Sequence, residues 1–155
     1  MIPCALSKPE YRLLAELTDG RRVVEAGALL GGSTVHIARF AASVISIDKH
    51  EGYSVPTWRQ YRSNLQRFGA YNVKPIKADC LLALPGAPAE LAFLDLTGGR
   101  SLSYAAVRAV HPSVRLVAVH DFGRQGCDVP DRIPGWRPFR RADTLLVFER
   151  DKCVY

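Results

Sequence analysis

Residues 23–34 (VVEAGALLGGST) constrain the fold of this chain more than any other segment. A short apolar run ends in an acid and is followed by glycines and two hydroxyl residues, which is typical of a buried strand, a tight loop and the start of a helix. A second apolar run, residues 44–47, ends in Asp48. Rossmann-type sheets hold adenosine-containing ligands with a glycine loop after the first strand and a carboxylate at the tip of the second. The segment therefore predicts an α/β fold with a nucleotide-type site.

Short apolar strands alternate with helical segments along the rest of the chain. Strands are predicted at residues 22–26, 44–48, 73–78, 91–95 and 114–120, with a final hairpin at 136–139 and 144–149. Helices are predicted from a capping box at Ser7 to Gly20, and at 33–41, 57–68, 81–84 and 103–110. Consecutive apolar strands between helices form a parallel sheet that is covered on both faces. We expect one domain over residues 1–155, in which a helix within 1–20 covers one edge of the sheet and 21–155 form the core.

The charge of the chain is uneven. The 155 residues carry 21 basic and 15 acidic side chains, a formal net charge of +6. Residues 53–78 contain no acid, and their bases are Arg59, Arg62, Arg67, Lys74 and Lys77. A basic face can attract nucleic acid. Because the segment has no recognised nucleic-acid-binding motif, an ordinary solvated helix face is the favoured interpretation.

Nothing in the sequence predicts a membrane or secreted protein. No apolar run approaches the roughly 20 residues that a membrane span needs, and the N-terminus lacks a signal-peptide pattern. The cysteines form no CxxC pair and no zinc-finger spacing, so we expect reduced thiols at Cys4, Cys80, Cys127 and Cys153. A cytoplasmic location is the corresponding expectation.

The motif around the glycines resembles a known family, the class I S-adenosylmethionine-dependent methyltransferases, in particular the small O-methyltransferase-like branch. The first motif of that branch, E-x-G-x-x-x-G-x-S, stands here at Glu25 to Ser33. The resemblance extends over nearly the whole chain. It implies a Rossmann-like, doubly wound, mostly parallel sheet in the order 3-2-1-4-5-7-6, with helices on both faces and an antiparallel C-terminal strand. It also implies S-adenosylmethionine as the cofactor.

The resemblance assigns roles around the methionine half of that cofactor. Gly27 and Gly31 would let the backbone close on it. Glu25 would either hold the loop or face the cofactor's ammonium group. Ser33, at the start of a helix, would contact the cofactor carboxylate, where helix-end N–H groups also favour an anion.

Residues at the ends of the next two strands would bind the adenosine half of the cofactor. Asp48 would accept hydrogen bonds from both ribose hydroxyls. Asp79 would bond the adenine amino group, and the backbone amide of Cys80 would meet the adjacent ring nitrogen. The alternatives are a solubilising strand-end residue for Asp48 and a helix N-cap for Asp79.

Two competing transfer chemistries fit the motifs less well. The dinucleotide fingerprint G-x-G-x-x-G requires a glycine where this chain has Leu29, which disfavours a nicotinamide dehydrogenase. Amino-directed DNA methyltransferases carry an Asn/Asp-Pro-Pro-aromatic signature after the fourth strand, whereas residues 95–99 read DLTGG.

The catalytic residues are expected after strands four and five. In metal-dependent O-methyltransferases, ligands at these places hold magnesium, so Asp95 and Asp121 are candidate Mg²⁺ ligands. His120 and Asp121 form the His-Asp pair that many relatives show, which makes His120 a candidate base, or else a strand-end histidine bonded to its neighbours. Relatives supply another histidine after strand four, which residues 95–100 lack.

The acceptor side has less sequence support. Residues 122–135 contain prolines and glycines that argue against the helix that relatives place there, so a loop is expected. The acceptor site would then be open or completed by a second subunit in a homodimer. The leading hypothesis is methylation of a small-molecule oxygen. The alternatives are a non-catalytic cofactor-binding or assembly module and an RNA methyltransferase that uses the basic face.

Overall fold

The fold is built on a mixed sheet. The computed structural model describes residues 2, 4–51, 57–96, 102–124 and 127–151. Within them the sheet has seven strands in the order β3-β2-β1-β4-β5-β7-β6. The strands are β1 Arg22–Ala26, β2 Ser43–Asp48, β3 Val73–Lys77, β4 Leu91–Leu94, β5 Leu116–Val119, β6 Trp136–Ala142 and β7 Leu145–Arg150. The first five are parallel, and β7 pairs antiparallel with both β5 and β6. This confirms the predicted α/β class and strand order.

Helices cover both faces of the sheet. They are α1 Lys8–Thr18, α2 Gly32–Ala38, α3 Thr57–Arg67, α4 Cys80–Ala83 and α5 Leu102–Ala109, with a 3₁₀ turn at Leu84–Gly86. Because side chains alternate between the faces of a strand, Val23 and Phe93 pack against α1 and α2, whereas Val24 and Leu94 pack on the face of α4 and α5. All four residues of β4 are buried, as a central parallel strand requires.

The N-terminal helix lies on one face of the sheet and also contacts the edge strand β6, where Arg140 pairs with Glu16. Its capping box is present: Ser7 Oγ accepts from the Glu10 amide, and Glu10 Oε2 accepts from the Ser7 amide at 2.7 Å. The apolar side of α1 packs over the central strands through Leu13, Leu14 and Leu17. These leucines cover β1, β4 and β5, whose residues need burial on both sides.

The two edges of the sheet are β3 and β6. Each edge strand contains a proline, Pro75 in β3 and Pro138 in β6, and β6 has a register shift between Pro138 and Arg140. The outer residues of β6 are exposed. Prolines, bases and irregular pairing are features that discourage addition of a further strand.

Several predicted bounds shift. The β5 strand begins at Leu116 and not at 114, because a turn closed by the bond from Val114 N to His111 O precedes it. The first hairpin strand, β6, ends at residue 142 and not at 139. The second, β7, spans residues 145–150 and not 144–149. No helix occurs at 122–124 or 127–135, the described part of the predicted loop. In the described ranges, no helix combines the length and apolar character needed to cross a bilayer.

Two leucines test the position of α1. Leu14 is fully buried against the sheet, whereas Leu82 on α4 is 83% exposed. We expect Leu14→Ala to lower the free energy of unfolding by about 2–5 kcal/mol because it leaves a cavity. Leu82→Ala, the matched control, should change it by no more than about 0.5 kcal/mol. Urea titrations of the two variants measure both values, and equal losses would contradict a core role for α1.

Candidate functional site

Two cavities lie side by side where the strand order reverses. The carboxyl ends of β1 and β4 meet there, and in open α/β sheets this switch point is where ligands bind. One cavity, of about 410 Å³, includes Ser33 and Asp121 in its lining, and the other, of about 180 Å³, includes Asp48. Gly27 and Asp95 line both. We call them the methionine-side cavity and the adenosine-side cavity, after the predicted roles of their residues.

The glycine loop packs against the end of β4. Gly27 has φ +91°, and a Cβ at this position would lie 1.9 Å from the backbone oxygen of Asp95. Gly31 has φ +87°, and a Cβ there would lie 3.0 Å from the ring of Tyr61. Both positions therefore require glycine, for the left-handed conformation and for the close approach. Together they form a closed turn that borders both cavities.

Glu25 lies beneath this loop and not in a cavity. It is fully buried, and its carboxylate accepts hydrogen bonds from the hydroxyls of Ser33 at 2.6 Å, Thr34 at 2.5 Å and Ser46 at 2.7 Å. Of its two predicted roles, the structure supports holding the loop. The Ser33 hydroxyl is used in this contact, and Ser33 also lines the methionine-side cavity, so its contact with a cofactor carboxylate stays a prediction.

The environment of Glu25 favours its neutral form. Burial raises the pKa of Glu25 to about 7, an effect that the three hydroxyls oppose and that the nearby Asp95 charge reinforces. Sequence reasoning missed Thr34 and Ser46. The available signal was Ser46 itself, because it interrupts an apolar strand and pairs in register with Glu25 on β1.

Asp48 joins the glycine loop to the tip of β2. Its Oδ2 accepts from the amides of Ala28 at 2.8 Å and Leu29 at 2.9 Å, and its Oδ1 accepts from the His50 amide at 2.6 Å. The residue lines the adenosine-side cavity. A carboxylate oxygen can accept two bonds, so Oδ1 retains capacity for a ligand hydroxyl.

Asp79 is the N-cap of α4. Its Oδ1 accepts from the Leu81 amide at 2.9 Å, and its Oδ2 lies 2.6 Å from Lys49 Nζ. Both contacts, the lysine first, lower the pKa of Asp79. The N-cap alternative is therefore correct, although Asp79 also lines the adenosine-side cavity. Cys80 lines it too, and burial raises the pKa of its thiol. The described cysteines, Cys4, Cys80 and Cys127, are free thiols, and Cys153 lies outside the described residues.

His120 is enclosed by carboxylates. Its Nδ1 lies 3.1 Å from Asp95 Oδ1 and 3.7 Å from Asp121 Oδ2, and its Nε2 lies 3.7 Å from Glu10 Oε2. The His120 side chain is 1% exposed, whereas that of Asp95 is 22% exposed. Glu10 is itself fixed by the amide and hydroxyl of Thr144. The sequence predicted Glu10 only as part of a helix cap, and its approach to His120 is seen only in the structure.

The base role of His120 stays a prediction, and its surroundings act on its pKa in opposite directions. Burial alone would lower the pKa of His120, but the hydrogen bond and charge of Asp95, with Asp121 and Glu10, raise it. Its Nδ1 faces Asp95 and Asp121, and its Nε2 faces Glu10. The groups of this cluster that line the methionine-side cavity are Asp95 and Asp121.

Left-handed backbone recurs around the cleft. Leu29 follows β1 with φ 47°, His50 follows β2 with φ 53°, and Asp121 follows β5 with φ 57°. Residues other than glycine rarely adopt this backbone conformation, and residues with strained backbones concentrate at ligand sites. Two of these residues, Leu29 and Asp121, line the methionine-side cavity, which supports its assignment as part of the functional site.

Comparisons with known proteins bear on the fold. No family model matches the chain, and no curated protein matches it. Among solved structures, cofactor-bound Rv0187 from MTB is 24% identical with a TM-score of 0.71, over 97% of this chain and 83% of that one. An rRNA methylase from Streptococcus thermophilus is 18% identical, with a TM-score of 0.64 over 96% and 100%. The O-methyltransferase TomG from Streptomyces achromogenes, in complex with SAM, is 24% identical, with a TM-score of 0.58 over 76% and 57%.

The fold is that of class I methyltransferases. The strand order and these similarities establish it together. Within this methyltransferase fold, the structure brings Gly27, Asp48, Asp79, Cys80 and Asp95 to one cleft, as the resemblance implies. Glu25 and His120 are buried, and neither lines a cavity of the cleft.

Two glycines test the contact between the loop and β4. Gly20, with φ +67°, has no atom within 4 Å of a built Cβ, so Gly20→Ala should cost only the backbone strain of about 1–2 kcal/mol. Gly27→Ala adds overpacking against the Asp95 backbone, which costs about 1–3 kcal/mol more. Urea denaturation compares the variants. Equal losses of stability in the two variants would mean that the loop and the Asp95 backbone can separate without a further cost.

The buried Glu25 predicts a pH dependence of stability. Its pKa in the folded chain, about 7, lies above the ordinary 4.5, so the folded state binds more protons between these values and stability falls as pH rises through them. The Glu25 contribution to this fall has an upper limit of about 3 kcal/mol. Glu25→Gln should remove that part of the slope, whereas Glu16→Gln on the exposed side of α1 should keep it. Denaturation midpoints from pH 4.5 to pH 8 give the difference, and parallel curves for all three proteins would contradict the assignment.

Proposed function

We propose that this protein is an S-adenosylmethionine-dependent methyltransferase that acts on oxygen of a small molecule. The observation that carries the proposal is the pair of cavities on either side of Gly27 and Asp95, at the switch point of a methyltransferase fold. A bent cofactor with an adenosine half and a methionine half fits such a divided cleft. The SAM complex of TomG supports the choice of cofactor.

The adenosine half belongs in the cavity lined by Asp48, Asp79 and Cys80. Asp48 Oδ1 would accept from a ribose hydroxyl, in addition to its amide bonds. Lys49 occupies one oxygen of Asp79. The adenine amino group would therefore either donate a further hydrogen bond to the Asp79 carboxylate or displace Lys49 from it. The backbone amide of Cys80 stays a proposed contact to the ring.

The methionine half and the acceptor share the larger cavity. Backbone from Gly27 to Leu30 forms one wall, and Cys4 and Ala5 from the segment before α1 contribute another part of the lining. This segment supplies cover that sequence reasoning did not expect. In this proposal, Cys4 and Ala5 would cover part of the bound acceptor.

Methyl transfer makes limited demands on the protein. The acceptor oxygen displaces the sulfonium in line, one C–S bond breaks as one C–O bond forms, and the hydroxyl proton must leave. Asp95 and Asp121 line the cavity where that hydroxyl would lie, so we assign orientation and proton acceptance to them. His120 holds Asp95 in place from behind and acts as a positioning residue.

The predicted magnesium ion is not part of this proposal. One atom each from Asp95, His120 and Asp121 lies within 4.8 Å of the others, a spacing that could surround a cation. However, His120 Nδ1 is already hydrogen-bonded to Asp95 Oδ1 at 3.1 Å, and the His120 side chain is 1% exposed, so this nitrogen is not open to an entering cation. Mg²⁺ also prefers oxygen ligands. We therefore derive no step through a metal.

Two other functions remain alternatives. A non-catalytic cofactor-binding or assembly module would retain the adenosine-side contacts without transfer. Its supporting feature is the missing histidine after β4, at residues 97–101, which lie outside the described residues. RNA methylation is supported by the similarity to an rRNA methylase and by the basic side of α3.

Cofactor binding is the first test. Titration calorimetry with S-adenosylmethionine and S-adenosylhomocysteine should give one site per chain. Asp48→Asn should weaken binding at least about tenfold, because a lost charge-assisted hydrogen bond costs about 1.5–3 kcal/mol. Asp19→Asn, at the exposed C-terminus of α1, is the matched control and should bind as the unaltered chain does. Absence of binding by the unaltered chain at millimolar ligand would refute the proposal.

The same preparation separates the alternatives. Methyl transfer from labelled cofactor into a metabolite extract should persist in EDTA and be lost in Asp121→Asn. Cofactor binding without transfer to metabolites or RNA would select the non-catalytic module. Label in RNA but not in metabolites would select RNA methylation, and loss of transfer in EDTA would restore the metal hypothesis.

A further inference from the structure

The exposed side of α3 carries basic residues without acidic partners. Arg59, Arg62 and Arg67 are exposed on this helix, and Lys74 is exposed on the neighbouring edge strand β3. Over the described residues, no carboxylate lies within 4.0 Å of these four cations. By contrast, Lys77 pairs with Glu51, and Arg137 and Arg140 on the opposite edge pair with Glu149 and Glu16. The charge on α3 is therefore available to an external anion.

Two shallow grooves run along this basic side. The first is lined by Trp58, Arg59, Arg62, Ser63 and Gln66, and the second by Arg62, Leu65, Gln66, Ala70, Tyr71, Val73 and Pro75. They share Arg62 and Gln66, so they form one continuous track from the first turn of α3 to the edge of β3. We call it the α3 groove. None of its residues lines either cavity of the cleft.

Aromatic side chains stand at both ends of the α3 groove. Tyr71 is 85% exposed, an unusual position for so large an apolar surface. Trp58 is half-buried: it stacks on Tyr61 at 5.9 Å and lines the groove at the other end. From Trp58 to Arg67 the helix rises about 13 Å. Aromatic rings set in a positive groove are the elements with which proteins hold single-stranded nucleic acid.

We propose that the α3 groove binds single-stranded nucleic acid. Arg59 and Arg62, which line the groove, contact phosphates, and Tyr71 stacks on a base. An acidic protein would use the charges but would not require the exposed ring. An anionic membrane would require several inserted apolar side chains, whereas Tyr71 is the one large apolar residue of the groove that is highly exposed. The inference goes beyond the proposed function, because it concerns a surface outside the cleft and needs no cofactor.

Fluorescence anisotropy tests the inference with end-labelled 12-nucleotide RNA and DNA single strands and the corresponding duplexes. Binding to single strands should be at least about fivefold tighter than to the duplex, because stacking on a base contributes about 1–3 kcal/mol. The slope of log K against log salt should be about −1.4 for contacts of Arg59 and Arg62 with two phosphates. The RNA and DNA probes distinguish the two sources of single strand.

Charge-matched variants locate the site. Arg59→Gln/Arg62→Gln should weaken binding at least about tenfold and reduce the salt slope by about 1.4, for two lost phosphate contacts. Arg108→Gln/Arg132→Gln removes the same charge from exposed positions on α5 and the loop before β6, and should leave affinity within twofold. Tyr71→Ala should weaken binding about fivefold or more with no change in slope.

Three outcomes would overturn the proposal: equal loss in both arginine pairs, equal affinity for single strands and duplexes, or tighter binding to phosphatidylserine vesicles or a polyglutamate peptide than to any oligonucleotide. Thermal melting of each variant verifies that it is folded. Because cofactor binding is measured separately, failure here leaves the proposed methyl transfer intact, and failure there leaves the groove intact.

Discussion

The close contact between Gly27 and the backbone of Asp95 is the constraint on which the cleft depends. It brings the loop after β1 against the end of β4, so the two strands that flank the reversal of the sheet are joined at their tips. A side chain at Gly27 would separate them. Because Gly27 and Asp95 line both cavities, their separation would alter the adenosine side and the methionine side together.

A buried polar layer stabilises this contact from one face of the sheet. Glu25 and its hydroxyl partners lie under the loop, and the cluster of Glu10, His120 and Asp95 lies beside them on the same face as α1. Burying carboxylates is costly unless they are neutral or well hydrogen-bonded. Glu25 meets this condition through its three hydroxyl partners, and Asp95 is hydrogen-bonded to His120.

Much of the fold was predictable from the sequence, because apolar strand runs and the glycine motif are local patterns. The strand order was implied by the resemblance to class I methyltransferases, and the common position of Gly27, Asp48, Asp79 and Asp95 at one cleft followed from the parallel strands. The direction of individual side chains did not. Ser33 turns toward Glu25, and Glu10 reaches from α1 to His120, because of contacts between residues far apart in sequence. The placement of α1 on a face also depended on packing. The acceptor, the cytoplasmic location and the homodimer stay predictions.

The two edge strands bear on how a second copy of the chain could associate. Pro75 and Pro138 each remove a backbone donor, and the register shift in β6 disturbs the spacing of its remaining bonds. Joining two sheets into one continuous larger sheet is therefore disfavoured at either end. The predicted homodimer is therefore more compatible with contacts through helices or loops than with pairing of the edge strands.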